Sequence, residues 1–198
     1  MEEKKLSNND CSCCSDCNDD VEGCACGTEC CTPSNDESNE KKQIVLDYLF
    51  CDLSVCTRCK GTDTSVEDAI RDIESLTGIN VKLNKIHVAT QEQAIQYKFV
   101  SSPTIRVNGK DIQVELKEDN CESCGELCGD EMDCRLWTYQ GKTYTVAPKA
   151  MIVDAMLKAV YGGNHTSESD QEYSIPENLK KFFILMESKA SNPSMKCC

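Results

Sequence analysis

The sequence lacks any long apolar run. About 20 consecutive, mainly apolar residues are needed to span a bilayer, and the longest dense apolar patch, residues 182–186, is far shorter. Residues 1–5 contain two glutamates and two lysines, and no apolar h-region of the signal-peptide kind follows them. We therefore expect a protein that is made and kept in the cytoplasm and that does not insert into a membrane.

Positive charge is scarce as well. The chain has 21 Lys and Arg residues against 34 Asp and Glu residues, which gives a formal net charge of -13 at pH 7. Nucleic-acid backbones and anionic lipids need a basic surface, so we expect neither as a partner. Hydrophobic residues make up 39% of the sequence, below the share of a typical globular protein. Part of the chain is therefore not expected to pack into a core.

Cysteine, by contrast, is abundant, with 17 residues in a chain of 198. In a small secreted protein so many cysteines would indicate a disulfide framework. In a protein without a signal peptide, cysteines are better explained as metal ligands or as redox thiols. The cysteine clusters are therefore the first places to look for function.

Composition divides the chain into three regions. Residues 1–42 are rich in Cys, Ser, Asn and Asp, and such a segment cannot bury enough apolar surface to offset its ordering entropy. We expect a flexible tail there, unless metal or disulfides order it. Residues 43–161 carry regular patterns, interrupted by a Cys-rich insertion at residues 117–135. Residues 162–198 contain a polar linker, a short amphipathic helix at residues 176–186 and a Cys-Cys tail.

The middle region alternates strands and helices. Residues 44–49 form a short apolar run that predicts a buried strand. The spacing of Thr64 and Glu67 is that of a capping box and predicts the start of a helix, and Thr90 with Gln93 predicts the start of a second one. Strands that alternate with helices indicate an α/β fold whose first β-α-β unit crosses over in the right-handed sense.

A β-hairpin is predicted after these elements. Asn108-Gly109 is a strong signal for a hairpin turn. Beyond the turn, Ile112, Val114 and Leu116 alternate with polar residues, as in a strand with one buried face. A second hairpin and a further helix are predicted after the Cys-rich insertion.

A Cys-X-X-Cys dithiol follows the first predicted strand. A thiol near a helix N-terminus has a lowered pKa, and Arg58 and Lys60 add positive charge beside Cys56 and Cys59. We expect Cys56 to be the attacking thiol and Cys59 to be the resolving one, as in thiol–disulfide exchange. The alternative is that the pair forms half of a zinc site, with the Cys121 cluster supplying other ligands.

A second cluster lies in the insertion. Cys121, Cys124, Cys128 and Cys134 are separated by two, three and five intervening residues, with no histidine near them. Four thiolates suit a tetrahedral zinc site or an iron–sulfur cluster. Two disulfides, a redox relay or free thiols are the alternatives.

Paired cysteines also occur in both tails. Adjacent thiols on a flexible chain suit soft metals of low coordination number, such as Hg(II), Cu(I) or zinc. The alternative is that both tails are unstructured ends without a site. The candidate metal ligands in the tails are Cys13, Cys14, Cys30, Cys31, Cys197 and Cys198.

The sequence resembles the thioredoxin superfamily in two features. One is the dithiol, and the other is a Ser-Pro-Thr motif at residues 102–104, directly before a predicted strand. More closely, residues 53–64, 97–105 and 121–125 resemble a bacterial thioredoxin-like family of unknown function. That family includes the SaoT-type thioredoxin-like (seleno)proteins of organometal transport and resistance systems. The resemblance implies a thioredoxin-like fold that carries a Cys-rich insertion and flexible Cys-rich tails.

The resemblance also implies roles for two residues outside the cysteine clusters. The proline that matches the superfamily motif, Pro103, is implied to follow a cis peptide bond and to face the dithiol. Asp47 lies nine positions before Cys56, further than the buried acid of thioredoxins lies from its dithiol. A buried Asp47 could accept the proton of the resolving thiol, or it could be a hydrogen-bonded residue of the strand with no role in chemistry.

Two functions follow from these patterns, and they can be combined. The dithiol could exchange disulfides with thiol-bearing proteins, or the thiols could capture a soft metal or organometal, such as mercury, and pass it to a metal transporter or lyase. The only cofactor that the sequence indicates is a metal, zinc or a softer ion, at the cysteine clusters. The alternative is a structural zinc-binding domain whose cysteines have no redox activity.

Overall fold

The computed structural model describes residues 43–128, 132–162 and 173–191. The described residues belong to one compact unit, Lys41–Cys198. None of the helices they form is both long and apolar enough to cross a bilayer.

The described part of the chain is a mixed α/β structure, as predicted. Its elements are β1 (Gln43–Phe50), α1 (Thr57–Thr77), β2 (Asn80–His87), α2 (Gln91–Gln96), β3 (Thr104–Val107), β4 (Lys110–Asp111), β5 (Lys117–Asn120), α3 (Glu122–Cys128), β6 (Asp133–Tyr139), β7 (Lys142–Tyr144), α4 (Lys149–Tyr161) and α5 (Glu177–Ser191).

Strand β1 is the centre of the larger sheet, whose strand order is β2-β1-β3-β4. It runs parallel to β2, to which α1 connects it, and antiparallel to β3. Leu46, Tyr48 and Leu49 of β1 are completely buried, as expected of the apolar run that predicted this strand. Strand β1 ends at Phe50, and a short loop leads from it to Cys56 and the start of α1. The sheet therefore determines where the dithiol lies.

Helices α1 and α4 pack against each other and against the larger sheet. Val66, Ala69 and Ile73 follow one another at helical spacing on the buried face of α1. Gly61 permits a close approach at the start of that helix, because a Cβ atom there would lie 2.8 Å from a methyl group of Val146. This packing holds the first turns of α1 in place.

The second sheet has the order β5-β6-β7 and contains the Cys-rich insertion. Arg135 of β6, which is 1% exposed, joins this sheet to the larger one. Its guanidinium donates to both carboxylate oxygens of Asp111, at 2.8 and 3.0 Å, and to Thr104 Oγ1 at 2.9 Å. Its Cζ atom also lies 4.8 Å from the centre of the Trp137 ring, a cation–π contact. The insertion is therefore anchored beside β3 and β4.

Helix α5 confirms the amphipathic helix predicted at residues 176–186, although it extends further, to Ser191. Leu179, Phe182 and Phe183 are buried, and the helix packs against α2 and α3. The side-chain amide of Asn178 bonds to the backbone of Asp133, next to Cys134. The helix therefore gives the insertion a second support, besides its anchor in the larger sheet.

Two short-range predictions are confirmed. Thr90 caps α2 by accepting a hydrogen bond from the Gln93 backbone, and the Gln93 side chain bonds back to Ala89 N at 2.7 Å. Asn108 and Gly109 both have positive φ, of 50° and 79°, and form the turn between β3 and β4. Local hydrogen bonding and backbone conformation decide both features, so sequence alone can predict them.

The predicted start of α1 is wrong. The helix begins at Thr57, with Cys56 as its N-cap, seven residues before the proposed capping box of Thr64 and Glu67. Thr64 lies within the helix, and its hydroxyl donates to the Lys60 carbonyl one turn earlier. A threonine can satisfy its hydroxyl in this way inside a helix, so the capping-box spacing was coincidental.

The return strand is present as β4, but its predicted extension through Ile112, Val114 and Leu116 is wrong. Strand β4 ends at Asp111, and Val114 is 95% exposed. The Asp111 carboxylate accepts a hydrogen bond from Gln113 N at 2.9 Å, which forms a turn that competes with the strand ladder. The same carboxylate pairs with Arg135, a contact that the alternating pattern cannot reveal.

The first prediction concerns the buried ion pair. Arg135→Met removes the guanidinium and leaves the Asp111 carboxylate without its partner, so we expect the free energy of unfolding to fall by about 3 kcal/mol. Chemical denaturation of the full chain measures the loss. Lys158→Met removes an exposed pair with Asp154 and should cost less than about 1 kcal/mol. Equal costs for the two variants would contradict an anchoring role for Arg135.

Candidate functional site

Cys56 and Cys59 lie at the N-terminus of α1. Cys56 has an extended backbone, and its sulfur accepts a hydrogen bond from Cys59 N at 3.4 Å. The two residues are 1% and 0% exposed. The dithiol is thus positioned at the positive end of the helix dipole, but neither sulfur is open to a large reactant.

Four cysteine sulfurs converge at this helix end. The Sγ atoms of Cys56, Cys121, Cys124 and Cys134 all lie within 4.8 Å of one another, and the four residues are buried. We call this set the four-thiol cluster. Around a tetrahedral zinc ion with bonds of about 2.3 Å, the sulfurs would be about 3.8 Å apart. The four-thiol cluster could therefore hold a metal ion after only small shifts of its side chains.

The insertion folds back on itself to present three of these sulfurs. Cys121 follows β5 directly, and its N–H bonds to the Met132 carbonyl at 2.8 Å. The Cys121 carbonyl in turn accepts the N–H groups of Cys124 and Gly125, at 3.0 and 2.9 Å, which closes the first turn of α3. Cys134 lies on β6, and its sulfur is 3.2 Å from that of Cys124.

Arg58, between the two cysteines of the dithiol, ties α1 to the insertion. Its guanidinium donates to three backbone carbonyls, those of Asp119 at 3.1 Å, Asn120 at 2.5 Å and Cys134 at 3.2 Å. Two of these carbonyls directly precede Cys121 and the third belongs to Cys134. Arg58 therefore holds the segments that carry two ligands of the cluster beside Cys56, a role that its charge alone did not suggest.

The charges of the cluster are unevenly distributed. Hydrogen bonds from the thiols of Cys121, Cys124 and Cys134 lower the pKa of Cys56 far below its usual value. The hydrogen bond with Cys121 and burial raise the pKa values of Cys124 and Cys134. A buried cluster without a cation therefore keeps some of its thiols protonated, because adjacent negative charges repel. A bound divalent cation would allow all four to ionise.

Cys59 does not belong to the four-thiol cluster, although it touches it. Its sulfur lies 3.3 Å from Ser102 Oγ, which itself accepts Cys51 N–H at 3.0 Å. The hydroxyl hydrogen of Ser102 is thereby available to the Cys59 sulfur. The hydrogen bond with Cys56 and burial raise the pKa of Cys59. Cys59 is therefore a protonated thiol held between Cys56 and Ser102.

The Ser102–Pro103 peptide bond is cis, as the resemblance implied. The residue before the proline, Ser102, makes the hydrogen bond to Cys59. Pro103 itself is buried at the start of β3. Ser102 was not among the residues that sequence analysis singled out, although it belongs to a motif that was noticed.

Asp47 lies away from the dithiol. Successive side chains of a strand point to opposite faces, and the hydroxyl of the next residue, Tyr48, donates to the Cys59 carbonyl at 2.6 Å. The Asp47 carboxylate accepts a hydrogen bond from Asn84 on β2 at 2.7 Å. The structure thus brings Tyr48, and not Asp47, to the dithiol.

The structure distributes the predicted metal ligands differently from the sequence. It brings Cys121, Cys124 and Cys134 together, with Cys56 as the fourth sulfur. The side chain of Cys128 and all the tail candidates, Cys13, Cys14, Cys30, Cys31, Cys197 and Cys198, lie outside the described residues. None of the cysteines whose side chains are described forms a disulfide.

The second prediction tests the role of Arg58. Arg58→Met removes three hydrogen bonds that position Cys121 and Cys134, so the affinity for Co(II) or Zn(II) should fall by about 10-fold or more. Competition with a chelator measures the affinity. Arg71→Met, which removes an exposed arginine of the same helix, is the matched control and should leave the affinity unchanged. An unchanged affinity in Arg58→Met would mean that the ligands need no such support.

Residues 43–156 match the family described as a domain of unknown function, DUF2703. No curated protein and no solved structure matches the chain. The matched segment covers more than half of the sequence and includes both the dithiol and the three insertion cysteines of the four-thiol cluster. The chain therefore belongs to the DUF2703 family.

Proposed function

We propose that this protein captures a thiophilic metal ion as cargo in the four-thiol cluster and passes it on by thiol exchange. The observation that carries the proposal is the convergence of the buried sulfurs of Cys56, Cys121, Cys124 and Cys134 within 4.8 Å. Buried cysteines can pack as small apolar residues, but that does not require four sulfurs from two separate segments to meet at one point. A shared cation gives a reason for the convergence.

The ligand set favours soft or borderline metals. The cluster offers four sulfurs with no histidine or carboxylate among them, and thiolates select zinc, Cu(I) and related ions over magnesium or calcium. Zinc and cadmium suit the tetrahedral arrangement. Mercury or an organomercurial, the cargo implied by the resemblance, would use fewer of the four sulfurs, as soft ions of low coordination number do. We therefore propose a thiophilic cargo of this class.

We infer that the domain is thioredoxin-like. The inference is supported by the strand order β2-β1-β3-β4, by the dithiol between β1 and α1, and by the cis peptide before Pro103 next to the dithiol. It agrees with the resemblance of residues 53–64 and 97–105 to the thioredoxin-like proteins of organometal transport systems. In this interpretation the insertion places a metal centre over the site that thioredoxins use for redox chemistry.

Transfer, and not only structural binding, is supported by Cys59. A structural zinc site is closed, with every nearby thiolate engaged, whereas here Cys59, which donates its backbone N–H to the Cys56 sulfur, carries a thiol outside the four-thiol cluster. Cys59 can replace Cys56 on the metal and so open the cluster one ligand at a time. The acceptor would be a thiol-bearing protein, such as a transporter or a lyase component, which the cysteine pairs of the tails could help to reach.

Thiol–disulfide exchange with a protein partner is the second candidate. It is favoured by the contact between the Cys59 backbone N–H and the Cys56 sulfur at 3.4 Å, which places both thiols where one can attack and the other resolve. The 1% exposure of Cys56 weighs against it, because a protein disulfide could reach that sulfur only after the insertion moved aside.

The third prediction identifies the ligands. The full chain should bind Co(II) with the thiolate charge-transfer and tetrahedral d–d absorption of a four-sulfur site. A variant with both Cys56→Ser and Cys59→Ser should lose this site, because the fourth sulfur and the thiol that can replace it are both missing, whereas Cys51→Ser, at a buried cysteine outside the cluster, should keep it. If Cys128→Ser abolishes the site and the double variant does not, the insertion binds metal by itself and the proposal is wrong.

The fourth prediction concerns transfer. Cys59→Ser should bind Co(II) or Zn(II) as tightly as the wild type, since Cys59 is not one of the four ligands. It should release the ion to a competing dithiol about 10-fold more slowly, because a neighbouring thiol has an effective concentration in the millimolar range or above. Stopped-flow transfer measures the rate. Equal rates for the two proteins would remove Cys59 from the transfer path.

A further inference from the structure

Cys56 has two possible partners that exclude each other, a metal ion and the Cys59 sulfur. Its own sulfur is one of the four of the cluster, and it accepts a hydrogen bond from the backbone N–H of Cys59 at 3.4 Å. A disulfide between the two residues would bring their sulfurs to about 2.05 Å. The sulfur would then carry no negative charge and would be a poor ligand for a cation, since metal ligation requires the thiolate.

In the metal-bound cluster, Cys59 is a thiol next to Cys56 that the metal does not occupy. Coordination would engage the thiolates of Cys56, Cys121, Cys124 and Cys134, whereas the Cys59 sulfur lies 3.3 Å from Ser102 Oγ. Cys59 is completely buried, so an oxidant has to be small enough to enter when the packing opens locally, which excludes a protein disulfide. The Cys56 sulfur accepts the Cys59 backbone N–H at 3.4 Å, so Cys56 is its expected disulfide partner in the cluster.

We propose, building on the proposed metal-binding function, that oxidation of the Cys56–Cys59 pair by a peroxide expels the metal ion. The Cys59 thiol gives up its proton as its sulfur attacks hydrogen peroxide; the sulfur takes one oxygen and becomes a sulfenic acid, and the thiol proton leaves with the other oxygen as water. The Cys56 thiolate then attacks that sulfur, breaks its bond to the metal and displaces hydroxide. The two thiol sulfurs lose two electrons in total, and the peroxide takes them up as water and hydroxide.

Release of the ion follows from the loss of one ligand. The remaining sulfurs, those of Cys121, Cys124 and Cys134, form an incomplete site that holds a tetrahedral cation more weakly. Reduction of the disulfide by a dithiol restores the Cys56 thiolate and with it the fourth ligand. The protein would thus hold its metal under reducing conditions and give it up under oxidising ones.

Oxidation of a different pair is the main competing outcome. The sulfurs of Cys124 and Cys134 are only 3.2 Å apart, so these two residues could also form a disulfide. In the loaded protein both are occupied by the metal, which protects them until the ion has left. The identity of the first disulfide therefore distinguishes active expulsion through Cys59 from oxidation that follows passive loss of metal.

The test uses the reduced full chain loaded with one equivalent of Zn(II) and treated with hydrogen peroxide. A chromophoric chelator reports the released zinc, and mass spectrometry of alkylated peptides maps the disulfides over the same time course. We expect zinc release and the Cys56–Cys59 disulfide to rise together, and a dithiol to restore binding. In Cys59→Ser, release should be at least 10-fold slower, whereas Cys51→Ser should behave as the wild type.

The outcomes separate the two proposals. If the wild type and Cys59→Ser both bind zinc at the cluster but release it at the same rate, redox expulsion is wrong and metal binding stands. The same conclusion follows if a Cys124–Cys134 disulfide appears first. If the reduced wild type binds no metal at the cluster, both proposals are wrong.

Discussion

Sulfur atoms that are buried within 4.8 Å of one another cannot all carry negative charge unless a cation lies among them. This electrostatic constraint determines the chemistry of the site. Without a cation, hydrogen bonds from neighbouring thiols lower the pKa of Cys56, and those of Cys124 and Cys134 are raised, so part of the cluster stays protonated. With a cation, every sulfur can ionise, because the attraction of each thiolate to the cation outweighs the repulsion between thiolates.

The surrounding structure meets this constraint by bringing two distant segments together. Helix α1 supplies Cys56 at its N-terminus, and the insertion supplies the other three sulfurs. Arg58 binds the insertion backbone next to Cys121 and Cys134, while Arg135 anchors β6 to Asp111 of the larger sheet. Hydrogen bonds between Asn178 and the Asp133 backbone add a third support. The two arginines thus position the segments that carry the cysteines, and the thiols of the cysteines are the groups that would bind a metal ion.

Sequence reasoning predicted what short-range physics controls. The apolar run of β1, the Thr90 cap and the Asn108-Gly109 turn each depend on neighbours within a few residues. Sequence reasoning predicted a strand that continues past Asp111, whereas β4 ends there. The Asp111 carboxylate accepts a hydrogen bond from Gln113 N and pairs with Arg135, and the alternating pattern reveals neither contact. The four-thiol cluster was predicted only in part. Its cysteines were all named as candidates, but spacing cannot show that Cys56 joins the insertion while Cys59 does not.

The central claim is that Cys56 completes a four-sulfur metal site. X-ray absorption at the zinc K-edge measures it most directly, on the full reduced chain with one equivalent of Zn(II). The account predicts a first shell of four sulfurs at about 2.3 Å for the wild type and for Cys59→Ser, and three sulfurs with one nitrogen or oxygen for the double variant Cys56→Ser with Cys59→Ser. A four-sulfur shell that survives unchanged in the double variant would contradict the account, because the metal would then be held by other cysteines.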